Sequence, residues 1–126
     1  MGFGKTIMAL NIIARTKKKA LIVVHKEFLL RQWIERIEQF LPGARVGKIQ
    51  GEIVDIDNKD IVIGMLQSLS MKEYPNSLFK SFGITCFDEV HHMSAEVFSR
   101  ALFKIVTSKM LGLSATMKRS DNLSKV

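Results

Sequence analysis

Two adjacent acids, Asp88 and Glu89, are the residues whose types and spacing are best suited to chemistry. They directly follow the apolar run Gly83–Phe87, which is typical of a buried strand. Two acids in that position are costly unless they lie at the exposed carboxyl end of the strand, where open α/β sheets bind ligands. Asp88 could then hold Mg²⁺, directly or through a water, while Glu89 orients and deprotonates an attacking water. The alternative is an exposed pair of acids that caps the following helix.

The segment Gly2–Thr6 has residue types suited to binding phosphate. Its glycines, Gly2 and Gly4, would let the backbone approach an anion, and amides at the start of the following helix would face that anion. Lys5 would reach the β- and γ-phosphates, and the Thr6 hydroxyl would bind Mg²⁺. Only the second half of the phosphate-loop pattern G-x-x-x-x-G-K-[ST] is present, so a merely glycine-rich segment remains the alternative.

Two further groups of residues invite a chemical interpretation. Ser114 and Thr116 place two hydroxyls at the end of another predicted strand, although alone they would only cap a turn. His91 and His92 together with Cys86 suggest a zinc site. Adjacent histidines rarely point at one ion, and the cysteine lies inside the predicted strand. We therefore expect no zinc there.

The elements that must position these residues alternate between helical and extended patterns. Apolar runs without polar alternation predict strands covered on both faces, and i, i+3, i+4 spacing predicts amphipathic helices. The predicted elements are a helix at 5–14, a strand at 20–24, a helix at 27–41, strands at 45–50 and 61–65, short helices at 67–69 and 77–81, a strand at 83–87, a helix capped by Ser94 and a strand at 110–114. Residues 52–60 are predicted to form a loop or a hairpin. This order predicts an α/β domain with a mainly parallel sheet.

Composition narrows the classes of partner. The chain has 126 residues, with 19 Lys and Arg against 12 Asp and Glu, and a net charge of +7. That charge favours nucleic acid over a membrane surface, although a basic solvated surface is the alternative. A single cysteine excludes an internal disulfide and favours a reducing, intracellular compartment. No apolar run approaches the roughly 18 residues that span a bilayer, so no membrane partner is expected.

The ordered set of motifs resembles the superfamily 2 helicases. Gly2–Thr6 is similar to motif I, Asp88–His91 to a DExH motif II and Ser114–Thr116 to motif III. Ala20–Trp33 is similar to motif Ia, and Ile61–Leu69 to the next family block. The extended sequences of motifs II and III, Asp88–His92 and Leu111–Thr116, look closest to the helicases of large DNA viruses and to related DNA-repair helicases.

This resemblance implies the RecA-like, three-layer fold of P-loop NTPases, with ATP and Mg²⁺ as cofactors and DNA or RNA as partner. It implies four roles for the residues. Those that bind nucleotide would be Gly2, Gly4, Lys5 and Thr6. Those that hold Mg²⁺ and activate water would be Thr6, Asp88 and Glu89. Those that couple the ATP site to movement would be His91, Ser114 and Thr116, and those that contact the nucleic-acid backbone would be His25, Lys26, Gln67 and Ser68. Trp33 is expected to pack in the core, and Lys17–Lys19 to form a solvated linker.

Departures from the family pattern limit these expectations. The family's motors have two RecA-like domains with ATP between them, and residues 1–126 resemble only part of the first. Neither the phosphate-loop strand nor a second domain with its arginine finger is recognisable. We therefore expect weak nucleotide binding, poor turnover, a frayed Gly2–Thr6 loop and an unpaired sheet edge at Met110–Ser114. Two alternatives remain: a binding module without catalysis, and a related translocase such as a chromatin remodeller or restriction motor.

Overall fold

The computed structural model describes residues 2–89, 92–105 and 109–113, apart from the side chains of residues 2, 3, 76, 77 and 109–113. Its helices and strands follow the alternating order that the sequence predicts. The helices are α1 (Gly2–Thr16), α2 (Glu27–Phe40), α3 (Leu66–Met71), α4 (Asn76–Lys80) and α5 (Ala95–Lys104). The strands are β1 (Ala20–Val24), β2 (Val46–Gln50), β3 (Ile53–Asp55), β4 (Ile61–Met65), β5 (Ile84–Asp88) and β6 (Lys109–Leu113). Among the described helices, none is long and apolar enough to cross a membrane.

The described strands form one sheet in the order β3-β2-β4-β1-β5-β6. Only β3 runs antiparallel to its neighbour, and the other pairings are parallel. The central strand β1 pairs with β4 on one side and β5 on the other. The mainly parallel sheet predicted from the sequence is therefore confirmed.

Strand β1 shows why the fold has three layers. All five of its side chains are fully buried, because both faces of the sheet are covered. Ala20, Ile22 and Val24 contribute to the apolar cluster beneath α1 and α2. Leu21 and Val23 contribute to the opposite cluster, which includes residues of α3, α4 and α5. Each large aliphatic side chain buried in this way contributes roughly 1.5–3 kcal/mol to stability.

The start of α1 differs from the sequence prediction. Residues 2–6 were expected to form a loop, but α1 already begins at Gly2, so that expectation is wrong. Glycine adopts helical angles as well as loop angles, and each residue added to an existing helix gains a hydrogen bond at little further cost. The amides of Gly2 to Gly4 still have no intrahelical acceptor, and the first turn contains no acid.

Both edges of the sheet match the expectations. Residues 52–60 include the short strand β3, which forms a hairpin with β2 around Gly51, whose φ is +60°. At the opposite end of the strand order, β6 pairs with β5, which places the apolar strand at the edge of the described sheet. An edge strand of this kind is the part of a sheet that opens most readily.

The single cysteine offers a test of that opening. Cys86 lies in β5, opposite Leu111 of β6, and is 1% exposed. Burial also raises the pKa of its thiol, which removes the reactive thiolate. We expect a thiol reagent to modify the native protein roughly 100-fold or more slowly than the unfolded chain. A native rate equal to the unfolded rate would show that the β5–β6 edge is not closed.

Candidate active site

The predicted site residues gather at the carboxyl ends of the parallel strands, which we call the acidic edge. Strands β1, β4 and β5 are parallel neighbours, so their carboxyl ends meet there. His25 follows β1, Gln67 lies in the first turn of α3 directly after β4, and β5 ends at Asp88. Glu89 comes next in the chain. This edge is where open α/β sheets place ligands, and it is where motif II was expected.

Asp88 is a half-buried acid with a specific partner. The indole Nε1–H of Trp33 donates a hydrogen bond to its Oδ2 at 2.8 Å. Burial raises the pKa of the Asp88 carboxyl, and the hydrogen bond from Trp33 opposes that rise only in part. The described contacts therefore restrain one carboxylate oxygen in an environment that disfavours its charge, and a bound cation would relieve that cost.

Trp33 thus has a role beyond the core packing that the sequence predicted. It is 2% exposed and belongs to the apolar cluster beneath α2, so the packing prediction is confirmed. Its contact with Asp88 spans 55 positions of the chain and was not predicted. The available signal was chemical, since a buried indole N–H usually finds an acceptor.

One turn further along α2, Arg36 makes the matching contact with α1. Its Nη1 donates to the Thr6 hydroxyl oxygen at 3.1 Å, and Thr6 is 7% exposed. Trp33 and Arg36 are three residues apart, so one side of α2 holds both the motif II acid and the motif I threonine. A cation at Thr6 would have to compete with this guanidinium.

Glu89 has an unusual backbone conformation for a glutamate. Its φ is +59°, in the left-handed region that residues with a Cβ seldom adopt. Such a conformation costs about 1–3 kcal/mol and is found most often at functional sites. The carbonyl of Glu89 accepts a hydrogen bond from the backbone N–H of His92 at 3.0 Å, and its Oε1 lies 3.8 Å from His92 Nε2. The turn after β5 therefore places Glu89 beside His92.

His25 connects motif II with the strand beside it. Its ring centroid lies 5.5 Å from that of His92. Burial, and then the positive charges of His92 and Lys26, lower the pKa of His25 and favour the neutral ring. Its Nδ1 is buried without a hydrogen-bond partner among the described residues. A run of contacts thus leads from His25 through His92 to Glu89.

The four residues expected to contact nucleic acid occupy the ends of β1 and β4. Lys26 and Gln67 are exposed, whereas His25 and Ser68 are half-buried. Gln67 Nε2 donates to the His25 carbonyl at 3.1 Å, so two of the four are in direct contact. Ser68 Oγ accepts from the Gly51 N–H at 2.8 Å, which ties it to the β2–β3 turn.

The remaining predicted residues are only partly described. Gly2, Gly4 and Lys5 lie in the first turn of α1, as given above. His91, Ser114 and Thr116 lie outside the described residues. The strand that leads to the two hydroxyls, β6, ends with Leu113 paired to Asp88, so the backbone approaches the acidic edge where motif III was expected.

Comparison with known proteins places these motifs in a family. Residues 1–119 match the family model described as "Type III restriction enzyme, res subunit". The chain belongs to this family. It is 42% identical over 125 residues to the "Putative ATP-dependent RNA helicase L396" of Acanthamoeba polyphaga mimivirus, a match that covers 99% of this chain and 24% of the viral protein. It is 32% identical over 131 residues to the "Putative ATP-dependent RNA helicase QP509L" of African swine fever virus, covering 99% of this chain and 25% of that protein.

Solved structures show the same fold. The Sulfolobus solfataricus SWI2/SNF2 ATPase core in complex with dsDNA has a TM-score of 0.74 at 17% identity, covering 92% of this chain and 26% of that one. The UvsW helicase from bacteriophage T4 has a TM-score of 0.69 at 20% identity, covering 92% and 43%. The sequence-based identification as a RecA-like superfamily 2 helicase domain, similar to those of large DNA viruses, is confirmed. The chain spans about a quarter of the length of the two viral relatives.

The raised pKa of Asp88 predicts an effect on stability. A carboxyl that binds its proton more tightly in the folded state destabilises the fold once pH rises above its unfolded pKa and through its folded pKa. We expect Asp88→Asn, which can still accept from Trp33, to raise the free energy of unfolding near pH 7 by roughly 1 kcal/mol. The gain should shrink as pH falls through the raised pKa of folded Asp88 towards about pH 4, near the pKa of an aspartic acid in the unfolded chain. Denaturant unfolding at both pH values measures it, and a gain independent of pH would contradict this account.

The backbone of Glu89 predicts a difference between two substitutions. Both Glu89→Gly and Glu89→Ala remove the carboxylate, but only glycine adopts a φ of +59° without strain. We expect the glycine variant to unfold at higher denaturant concentration, with a free-energy difference of about 1 kcal/mol. Equal stability of the two variants would show that residue 89 is not held in the left-handed region.

Proposed function

We propose that this chain forms the greater part of the first ATPase domain of a nucleic-acid-dependent helicase or translocase. The proposed reaction is ATP hydrolysis, stimulated by DNA or RNA and used to move along or separate strands. The observation that carries the proposal is the pair at the end of β5, where Asp88 is held by Trp33 and Glu89 adopts a strained turn. The half-buried, hydrogen-bonded Asp88 suits a metal ligand, and Glu89 at the turn beyond it suits a general base.

The chemistry of the donor set supports ATP and Mg²⁺. At Asp88, one carboxylate oxygen bonds to Trp33 in a half-buried position, and carboxylate oxygen is the ligand that Mg²⁺ prefers. At α1, the first turn combines amides that have no intrahelical acceptor at Gly2 to Gly4, no acid and the cation Lys5, which suits polyphosphate. Thr6 fits a metal less directly, because its oxygen already accepts a hydrogen bond from Arg36. The hydroxyl becomes available to a metal only when this guanidinium moves aside.

Each residue then has a defined role. Lys5 and the amides at the start of α1 would bind the β- and γ-phosphates, and Asp88 would hold the metal together with Thr6. Bound Mg²⁺ would neutralise the charge that develops on the phosphates. Glu89, whose side chain is 29% exposed, would orient a water molecule and accept its proton. His91, Ser114 and Thr116 would link this chemistry to movement.

The nucleic-acid surface is proposed to lie beside the same edge. Lys26 and Gln67 offer an exposed cation and an exposed amide at the ends of β1 and β4, and the net charge of +7 favours a polyanion. His25 and Ser68 would support this surface through their contacts with Gln67 and Gly51. The His25 ring also contacts the His92 ring. A movement of this surface when nucleic acid binds could therefore be transmitted through the two rings to Glu89.

A second RecA-like domain is proposed to complete the site. The described residues contribute acids, a lysine and a threonine, and phosphoryl transfer by this class of motor also requires an arginine finger. Coverage of about a quarter of the viral relatives supports a longer functional protein. Residues 1–126 alone are therefore proposed to bind nucleotide weakly and turn it over slowly.

Glu89→Gln tests the catalytic assignment. In a protein that joins this chain to its second motor domain, we expect the substitution to lower nucleic-acid-stimulated turnover by about 100-fold or more, because the amide cannot accept the proton. Nucleotide affinity should be preserved, whereas Lys5→Ala should weaken it. The matched control is Glu38→Gln, which removes an exposed acid on α2. Steady-state ATPase assays with DNA and with RNA measure the effect, and full activity of Glu89→Gln would overturn the assignment.

A further inference from the structure

A groove lies at the amino ends of the parallel strands, whereas Asp88 and Glu89 lie at the carboxyl ends. Its cavity volume is about 590 Å³, and it is formed where α1 and α2 end and where β1 and β4 begin. Because β1 is five residues long, the amino and carboxyl ends of these strands are roughly 17 Å apart. The proposed ATP chemistry makes no use of this groove.

The floor of the groove is apolar. It is formed by Ile13 of α1 and by Phe40, Leu41 and Ala44 at the end of α2. Phe40 is 37% exposed, so part of its side chain reaches solvent in the groove. An apolar floor of this kind accommodates aliphatic or aromatic side chains.

The walls of the groove are basic. Lys17, Lys18, Lys19 and Lys59 all line it, and we call it the lysine groove. Asp60 also lines it, but its carboxylate bonds to the Arg45 side chain and backbone N–H, which offsets its charge. Lys19 is already engaged, because its Nζ donates to the Ile56 carbonyl and lies 5.2 Å from the Phe82 ring centroid. Lys59 is also paired, because its Nζ lies 3.7 Å from Asp55 Oδ2. Lys17 and Lys18 therefore give the lysine groove most of its positive character.

Lys18 lies over Gly83, which leaves space for its aliphatic stem. A Cβ added at Gly83 would lie 2.6 Å from the Cβ of Lys18. The stem is therefore packed in place before a ligand arrives. Ordering it in advance lowers the entropy that binding would otherwise cost.

Lys17 is held at a strained position. Lys17 follows the last residue of α1 with a φ of +55°, where helices usually place glycine or asparagine. Its backbone N–H is bonded to the Ile13 carbonyl at 3.2 Å, which fixes this conformation. A lysine at this position carries strain that glycine would avoid, and such outliers point to a function for the side chain.

We propose that the lysine groove is a docking site for an acidic peptide segment of a partner protein, with an aliphatic or aromatic side chain seated on Phe40. Charge complementarity selects the acids, and the floor selects the apolar residue. Both α1 and α2 end at the groove, and their carbonyl ends repel anions, so the lysines supply the attraction. A nucleic-acid backbone would match the charge but would leave the apolar floor unfilled.

A binding assay on the 126-residue chain tests this proposal without reference to ATP. The probe is a fluorescein-labelled peptide of repeating Asp-Glu-Leu-Phe units, followed by fluorescence anisotropy. We expect Lys17→Glu with Lys18→Glu to weaken binding by about tenfold or more, and Phe40→Ser to weaken it as well. The matched control, Lys80→Glu with Arg100→Glu, makes the same change in net charge at exposed positions elsewhere and should leave binding within about twofold.

Lys17→Gly separates the docking role from a structural one. We expect this variant to be at least as stable as the wild type, because strain is relieved, and yet to bind the peptide more weakly. An equal loss in both charge-reversal pairs, or equal binding of a peptide with Ser replacing Leu and Phe, would overturn the proposal. So would a single-stranded oligonucleotide that displaces the peptide and loses affinity through Lys17→Glu with Lys18→Glu.

Discussion

The hydrogen bond from Trp33 to Asp88 is the contact on which the geometry of the candidate site depends. A buried indole N–H needs an acceptor, and a half-buried carboxylate needs a donor, so each group satisfies the other. Because Trp33 also packs in the apolar cluster, the core under α2 fixes the position of Asp88. The neighbouring contact of Arg36 with Thr6 ties α1 to the same helix. One helix thereby sets the relative positions of motifs I and II.

The features that lower the stability of the fold are concentrated at the acidic edge, and the interactions that stabilise the fold lie elsewhere. Burial disfavours the charged form of Asp88, and Glu89 has a left-handed backbone. In addition, a buried nitrogen of His25 has no hydrogen-bond partner among the described residues. Each feature breaks a rule that most residues of the fold obey, and such exceptions are expected at functional sites. The fully buried strand β1 and the two apolar clusters offset these costs.

Periodicity was sufficient to predict most elements, because apolar runs such as Ala20–Val24 allow few other structures. It failed at Gly2–Thr6, where glycine permits both loop and helix and neighbouring contacts decide between them. The contacts of Asp88 with Trp33 and of Thr6 with Arg36 could not be predicted, since they depend on how α2 is rotated about its axis against residues distant in sequence. The lysines after α1 are predicted to form a solvated linker, yet they line a groove, and the packing of Lys18 over Gly83 is visible only in three dimensions.

The fluorescence of Trp33 tests the central claim, that Asp88 is the metal-binding acid held by this indole. The chain contains a single tryptophan, so all of its indole emission comes from the ring that contacts Asp88. We predict that Mg²⁺ added together with ATP changes the emission of the wild-type chain, and that Asp88→Asn abolishes the Mg²⁺-dependent part of the change. An identical Mg²⁺-dependent response from Asp88→Asn would contradict the account.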